Sequence, residues 1–559
     1  MPPREPNEGL NVRPSRSFVI RLCFATALAS TVAVMTFGAD EGGHASFGHG
    51  IVRRLRWDGP LAEVPHPGLE RHHRGPSDER AGELPHRYEH GAPGREAKEE
   101  HDCEVREPEH EEHAKPDEPH RHEDARGEQS QELHEHEQHE GHRPGAERQE
   151  GRPHPEHPMQ NLPLGLSPSR EASGTSWEPD STPMNGMHFM EDDWTFMVHG
   201  NVFIGYDYQS GRRGGDQWLS TNWIMLMADH TLAGGNLGFR TMLSLEPATV
   251  GRDGYPLLLQ TGESLNGVPL HDTQHPHDLF MELATMYTRS LTEDLAFQVY
   301  VAPAGEPALG PTAFMHRRSA MPDPLAPISH HWQDSTHISY GVLTGGLFTR
   351  FAKLEGSWFN GREPDENRWD FDLRRLDSYS GRLTVNPAPD WSAQVSGGHL
   401  RSPEELEPDV SIDRLTASVT YNQTWSNGGN WATTLAWGWN KPEGERATNS
   451  VLLETSVEID RHHNPFGRFE YVRKSGHDLV LPAAFQDETF GLTDLVLGYV
   501  YNFDPIGPIV PGLGFRFSLD FVDPDLEPFY GRRTLYGFMV FIRFSSAPQE
   551  EPKEHHHEH

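Results

Sequence analysis

Residues 513–521 read Leu-Gly-Phe-Arg-Phe-Ser-Leu-Asp-Phe, an alternation of large apolar side chains with small or polar ones. Side chains of a β-strand point in turn to its two faces, so this stretch predicts a strand with one apolar face and one polar face. Two kinds of protein use such strands. One is a soluble β-sandwich or β-helix, and the other is a membrane barrel whose wall separates lipid from a polar lumen.

The same alternation recurs along the chain after residue 190. It predicts strands over residues 194–208, 217–229, 236–247, 278–290, 294–303, 336–349, 352–362, 376–386, 391–401, 411–424, 430–440, 448–460, 466–474, 490–503, 511–522 and 535–544. An even number of strands, with short connections alternating with longer ones, is typical of outer-membrane barrels. We therefore predict an all-β protein, a transmembrane antiparallel β-barrel of about 16 strands over residues 190–544.

Side chains on the predicted strands favour the barrel over the soluble alternatives. Tryptophans lie at strand ends, as an aromatic girdle requires: Trp194, Trp391, Trp431 and Trp439. The polar faces carry both signs of charge, and we expect these residues to face the lumen: Arg240, Glu246, Glu282, Arg382, Arg414, Glu454, Glu458, Arg468, Glu470, Arg516 and Asp520. A lumen of this width conducts water unless loops fill it.

Composition narrows the possible functions. The 559 residues include 48 basic and 84 acidic ones, for a net charge of -36, which argues against nucleic acid as a partner. Only two cysteines are present, so a disulfide framework and a four-thiolate zinc site are excluded. No apolar run is long enough for a spanning helix. Histidine is the unusual residue, with 36 copies.

The first 39 residues have the layout of a secretory signal peptide. Arginines precede an apolar run over residues 22–37, which ends in a small-residue pair. A membrane anchor is the alternative, but the run is short for a span. With an aromatic residue ending the last strand, these features predict export to the outer membrane of a Gram-negative bacterium. The expected partners are membrane lipid and the barrel assembly machinery.

Residues 40–182 form a segment rich in His, Glu and Pro, which we call the arm. It has few apolar residues to offset chain entropy, so we predict that it is disordered and lies in the periplasm. Its densest histidine cluster contains His134, His136, His139 and His142. Imidazoles beside carboxylates are ligands for Zn, Cu or Ni, and a solvated spacer is the alternative. The tail over residues 545–559 repeats this composition.

The two longest predicted outer connections, residues 248–277 and 304–335, hold or adjoin further histidines. The candidate metal ligands are His271, His275, His277, His316, His330, His331 and His337. If the loops fold inward, these imidazoles could meet at a metal ion or line a constriction. The alternative is that they hydrogen-bond the loops into a rigid plug.

Two smaller motifs complete the candidates. Met187 and His188 precede the first strand and suggest a Cu(I) site, because thioether sulfur favours that ion; gap-filling by Met is the alternative. Ser335 and His337 suggest a hydrolase, but neighbours along a strand need not touch. We therefore predict no enzyme activity. The sequence specifies no cofactor with certainty, and a transition-metal ion (Cu, Zn or Ni) is the candidate.

Residues 174–184, 274–282, 310–317 and 330–337 carry a resemblance. They resemble segments of a family of bacterial outer-membrane β-barrel proteins for which no catalytic residues are established. A His-rich arm ahead of a barrel is also similar to outer-membrane copper-resistance proteins. Both resemblances imply an outer-membrane barrel, and the second implies copper handling.

The leading hypothesis is an outer-membrane barrel that binds or handles transition-metal ions through its periplasmic arm, with a channel whose outer loops form a His-lined constriction. The alternative is a general porin for small polar solutes, in which the arm is only a spacer.

Overall fold

The computed structural model describes residues 162–548. Its strands are β1 (Met187–Glu191), β2 (Trp194–Gln209), β3 (Asp216–Leu219), β4 (Asn222–Leu232), β5 (Gly235–Leu243), β6 (Tyr255–Leu265), β7 (Val268–Gln274), β8 (Phe280–Ser290), β9 (Ala296–Gly305), β10 (Ser339–Phe348), β11 (Ala352–Phe359), β12 (Ser378–Ala388), β13 (Trp391–Leu400), β14 (Ile412–Thr424), β15 (Asn430–Pro442), β16 (Thr448–Glu458), β17 (His463–Ser475), β18 (Thr489–Asn502), β19 (Ile509–Phe521) and β20 (Thr534–Ser546). The described helices are short: α1 (Glu246–Thr249), α2 (His330–Gln333) and α3 (Glu527–Tyr530), with 3-10 turns at Pro163–Gly165, Pro168–Arg170, Ser335–His337, Ala483–Phe485 and Pro524–Leu526.

Eighteen of the strands form one antiparallel sheet, which closes because β20 pairs with β2. Strands β1 and β3 extend the wall beside the two ends of β2. The other sixteen make the barrel, so the predicted fold and strand number are confirmed. The alternation of the sequence fixes the strand faces. On β15, Ala432, Thr434 and Ala436 point inward and are buried, whereas Leu435 and Trp437 point outward.

The outer face of the barrel is apolar. Leu343, Leu354, Leu497 and Val540 lie near mid-strand and are 42%, 63%, 59% and 53% exposed. Large aromatic side chains such as Trp391 and Trp431 lie at strand ends. Among the described residues, no helix is long and apolar enough to cross a membrane.

The inner face is polar, as predicted. Residues expected to face the lumen are buried there: Arg240, Glu282, Arg382, Arg414, Glu454, Arg468, Glu470, Arg516 and Asp520. Glu458 is partly buried at the end of β16 and pairs with Arg318 of the connection over residues 306–338. Glu246 differs, because β5 ends at Leu243 and not at residue 247. Glu246 therefore lies in α1 of the following loop, which turns inward at this point.

Two connections at the long-loop end fold into the barrel. The first inward loop, residues 244–279, contains α1 and the β6–β7 hairpin, which forms a separate two-stranded sheet. The second inward loop, residues 306–338, contains α2. On the opposite end the connections are short, for example residues 233–234 and 389–390. We call this the short-turn end.

The described end of the arm is ordered, which corrects the prediction of disorder for residues 162–182. Arg170 pairs with Asp180 at 2.5 Å and donates to the carbonyl oxygen of Arg350 in a short turn. The backbone N–H of Ser181 donates to the carbonyl oxygen of Pro389, in another short turn. A polar segment can be ordered here because the lumen wall supplies charged and carbonyl partners in place of apolar surface. Residues 1–161 and 549–559 lie outside the described residues, together with the predicted signal peptide and most of the arm and tail.

Candidate functional site

Three segments fill the lumen, and we call them together the plug: residues 162–182, 244–279 and 306–338. The segment 162–182 enters from the short-turn end and meets the second inward loop, where the hydroxyl of Ser173 accepts from the backbone N–H of Ala313 at 2.9 Å. Wall arginines also hold it. Arg240 donates to the carbonyl oxygens of Ala172 and Gly174 and pairs with Glu171 at 2.7 Å.

One arginine fastens the second inward loop to the barrel wall. Arg317 is fully buried, and its guanidinium contacts Asp334 of the same loop at 2.5 Å and Glu454 of β16 at 2.7 Å. Beside it, the Ser319 hydroxyl lies 2.9 Å from the Glu454 carboxylate and 2.7 Å from the hydroxyl of Thr434 on β15. The loop is therefore joined to two adjacent wall strands through a charged network.

Wall residues also contact the backbone of this loop. The carboxylate of Glu470 accepts from the backbone N–H groups of Ile328 and Ser329, at 3.1 and 2.8 Å. The carbonyl of Trp332 in α2 packs so closely on Gly438 of β15 that a Cβ there would lie 2.1 Å from the oxygen. Only glycine fits at that position of the strand, so the close approach of α2 to the wall is encoded in the wall itself.

Five of the predicted metal-ligand histidines converge in the plug: His275, His277, His330, His331 and His337. All are buried. Their ring centroids lie 5.0 Å apart for His330 and His337, 5.4 Å for His277 and His337, and 5.4 Å for His330 and His331. We call this group the histidine cluster. It joins the two inward loops, because His275 and His277 belong to the first and the others to the second.

Four of these imidazoles contact a carboxylate. His277 Nδ1 lies 2.8 Å from Glu246, His330 Nδ1 lies 2.8 Å from Asp334, His331 Nδ1 lies 3.1 Å from Glu363, and His275 Nε2 lies 3.2 Å from Glu263. His337 Nδ1 instead donates to the carbonyl oxygen of Asp334 at 2.8 Å. A carboxylate or carbonyl on one nitrogen is the arrangement that orients metal-ligating histidines.

The second nitrogen of three imidazoles has no hydrogen bond. The Nε2 atoms of His277, His331 and His337 are buried, and no described atom hydrogen-bonds to them. These nitrogens are nevertheless not close enough to one another to form a metal site as they stand. Within residues 162–548, the one set of three or more His, Cys or acidic ligand atoms within 4.8 Å of each other is Asp365, Asp370 and Asp372. An ion in the histidine cluster would therefore require side-chain rotations.

Burial keeps most of the cluster neutral. Burial lowers the pKa of His275 and His337 well below the ordinary value of histidine, and it lowers that of His330 although Asp334 opposes the change. His277 differs, because the attraction of Glu246 outweighs burial and raises its pKa. Neutral imidazoles can bind a metal ion without first losing a proton.

The other candidate ligands lie elsewhere. His271 is on β7 and contacts Asp272 and Arg213, outside the cluster. His316 packs against Trp223 and lies 3.3 Å from the Met242 sulfur. Met187 and His188 are neighbours on β1 and face opposite sides, with His188 opposite the inward-facing Met197. His134, His136, His139 and His142 lie outside the described residues.

The hydrolase pair is not assembled. Arg414 donates to the hydroxyl of Ser335 at 3.0 Å, whereas the Nδ1 atom of His337 bonds to a backbone carbonyl. Of the carboxylates that hold the cluster, Glu263 and Glu363 were not singled out from the sequence. Glu246 was predicted to face the lumen and Asp334 lies four residues after His330, but their pairing with histidines of the cluster was not predicted. Glu454 was predicted to face the lumen, but its pairing with Arg317 of the second inward loop was not predicted.

Comparison with known proteins gives fold likeness only. No family model matches the chain, and no curated protein does. Among solved structures, it is similar to an anion-selective porin from Comamonas acidovorans, with 11% identity, a TM-score of 0.41, and coverage of 63% of this chain and 99% of that one. It is also similar to the DcaP outer-membrane channel of Acinetobacter baumannii, with 8% identity, a TM-score of 0.38, and coverage of 65% and 100%. These values are too low for the solutes of those proteins to bear on this chain. The two family resemblances of the sequence segments stay predictions.

Proposed function

We propose that the protein is an outer-membrane channel that its own plug holds closed. The observation that carries this proposal is a closed barrel with an apolar outside, a charged inside and a lumen filled by loops. The outer surface exposes apolar side chains at mid-strand, such as Leu343, Leu354 and Leu497. Such a surface is suited to the hydrocarbon of a lipid bilayer. The signal peptide over residues 1–39 and the periplasmic position of the short-turn end belong to the same proposal.

The plug is not part of the sheet that forms the wall, and this supports gating over permanent closure. The sheet is continuous from β2 to β20, and the hydrogen bonds of that sheet do not depend on either inward loop. The second inward loop is held instead by side-chain contacts, notably those of Arg317 and Ser319. These can break while the barrel remains folded. An inward loop that moves aside would uncover a polar passage lined by charges of both signs.

A removable tether tests the gate. The Ser319 and Thr434 hydroxyls are 2.7 Å apart, so Ser319→Cys with Thr434→Cys places two thiols where a disulfide can join plug to wall. Serine replaces Cys23 and Cys103 in every protein tested. In planar bilayers, we expect the oxidised double variant to show few openings, and reduction to restore them to the level of Ser319→Cys alone. Equal openings with and without the disulfide, or an always-open wild type, would overturn the proposal.

Metal handling is a second candidate function, favoured by the histidine cluster. Its neutral imidazoles and its carboxylate partners suit Zn, Cu or Ni. The test compares the full chain with a variant lacking residues 40–161, using each metal alone. Without a reductant, we expect the shortened protein to keep one Zn, Cu(II) or Ni ion per chain and to lose it with His330→Gln and His337→Gln. His399→Gln, at a half-exposed histidine paired with Asp413, is the control.

Two results would reject this second candidate. If all binding disappears with residues 40–161, the arm alone handles metal and the cluster is structural. If binding is absent from the full chain, the arm is a spacer and the cluster only packs the plug.

A further inference from the structure

Three neighbouring strands bring one histidine and two methionines into a row on the lumen side of the wall. Met225 of β4 lies directly opposite His199 of β2 on one side and Met242 of β5 on the other. Opposed residues of antiparallel strands have Cβ atoms about 4.5–5.5 Å apart, so the three side chains are adjacent. Met225 and Met242 are 2% and 4% exposed, so neither thioether faces lipid.

The plug adds a second imidazole to this row. His316 of the second inward loop has its Nε2 atom 3.3 Å from the sulfur of Met242, and its ring centroid is 6.0 Å from that of His199. The Nε2 atom of His199 is buried, and no described atom hydrogen-bonds to it. Two imidazole and two thioether side chains are therefore neighbours on the lumen side, with one nitrogen–sulfur contact, between His316 and Met242, and one nitrogen without a hydrogen bond, on His199.

Packing alone does not explain this arrangement. Methionine fills irregular gaps in many cores, and Met197 opposite Met227 in the next row extends the apolar lining. A buried polar atom without a hydrogen bond, however, costs about 1–3 kcal/mol. If these residues only filled space, an apolar side chain in place of His199 would avoid that cost. Burial also lowers the pKa of His316 to about 4, which leaves this imidazole neutral.

We propose that His199, Met225, Met242 and His316 form a binding site for a soft monovalent cation, Cu(I). Thioether sulfur selects this ion over Zn and Ni, which prefer imidazole and carboxylate. The row has two thioethers and two imidazoles and no carboxylate. The site shares no residue with the histidine cluster, and it is complete only while the second inward loop, which carries His316, is docked in the lumen.

The test measures Cu(I), kept reduced with ascorbate, on the full chain in detergent. Serine again replaces Cys23 and Cys103, so that no thiolate supplies sulfur. X-ray absorption of the loaded protein should show sulfur scatterers around copper. Met225→Leu with Met242→Leu should remove these scatterers. It should also weaken Cu(I) binding, measured by competition with a chromophoric chelator, at least about tenfold. Loss of a residue that only hydrogen-bonds to a metal ligand already weakens binding by about that factor.

Matched controls keep the result interpretable. Met286→Leu alters a buried methionine of another core group, and it should leave copper binding unchanged. Leucine conserves volume, so the barrel should keep its heat-modifiable migration in gels. His316→Gln leaves the wall intact and should also weaken binding, which covers the case in which the double variant does not fold. Nitrogen-only scattering in the parent protein, or unchanged affinity in both the leucine and the glutamine variants, would overturn the site.

Discussion

Arg317 shows how a single side chain can control the plug. It is fully buried between Asp334 and Glu454. A neutral side chain at this position would leave both carboxylates without a cation. Arg317→Ala would leave two buried carboxylates unpaired. This should make the free energy of docking of the second inward loop less favourable by about 3–5 kcal/mol. Amide hydrogen exchange should then rise over residues 312–337 while the wall strands stay protected.

Arg252 provides the comparison for this prediction. It pairs with Glu366, but the two side chains are 62% and 36% exposed. Exposed pairs contribute about 0–1 kcal/mol, so Arg252→Ala should leave exchange of the plug close to that of the parent protein. Similar exchange in the Arg317 and Arg252 variants would show that the buried network does not hold the loop.

The wall strands were predictable because each has a simple physical requirement. A strand between lipid and a polar lumen must alternate, and β14, β15 and β19 follow the predicted spans within a few residues. The predicted strand boundaries were wrong where a strand is interrupted or where the chain leaves the wall. The predicted strand over residues 217–229 is divided into β3 and β4, and the one over 236–247 ends at Leu243, where the chain turns inward.

The elements inside the barrel were not predictable in the same way. Residues 162–182 and the base of the β6–β7 hairpin pack inside the barrel, and the hairpin tip around Val268 is exposed. These segments are not part of the wall, so no apolar period marks them. Their order depends on partners far away in sequence. Lys353 of β11, for example, lies 4.8 Å from the ring of Trp177, and Arg382 donates to the Thr175 hydroxyl. The histidines of the cluster were recognisable from composition, but their convergence followed from two loops folding inward together.

Closure of the whole channel should depend on pH, because the plug buries several imidazoles in neutral form. Burial lowers the pKa of His275, His330 and His337, so a released plug binds protons below about pH 6.5 where the docked plug does not. Docking therefore weakens as the pH falls below that value. His277 acts in the opposite direction, because its raised pKa favours docking below the same pH.

Buried carboxylates of the plug oppose these imidazoles, because burial raises the pKa of Glu178 and Asp278 to about 7 and that of Glu306 to about 8, which favours docking as the pH falls. The contribution of the imidazoles is therefore measured as a difference between the parent protein and a variant. One such histidine contributes up to about 1.4 kcal/mol per pH unit, which is a factor of ten in the ratio of open to closed channels. Between pH 7.5 and 5.5, at constant salt in planar bilayers, we expect the ratio of open to closed channels to shift toward open at least about tenfold more in the parent protein than in His275→Gln with His337→Gln. The oxidised Ser319–Thr434 tether should abolish the response in the parent. Equal pH responses of the parent and the glutamine variant would show that these imidazoles do not contribute to the docking of the plug.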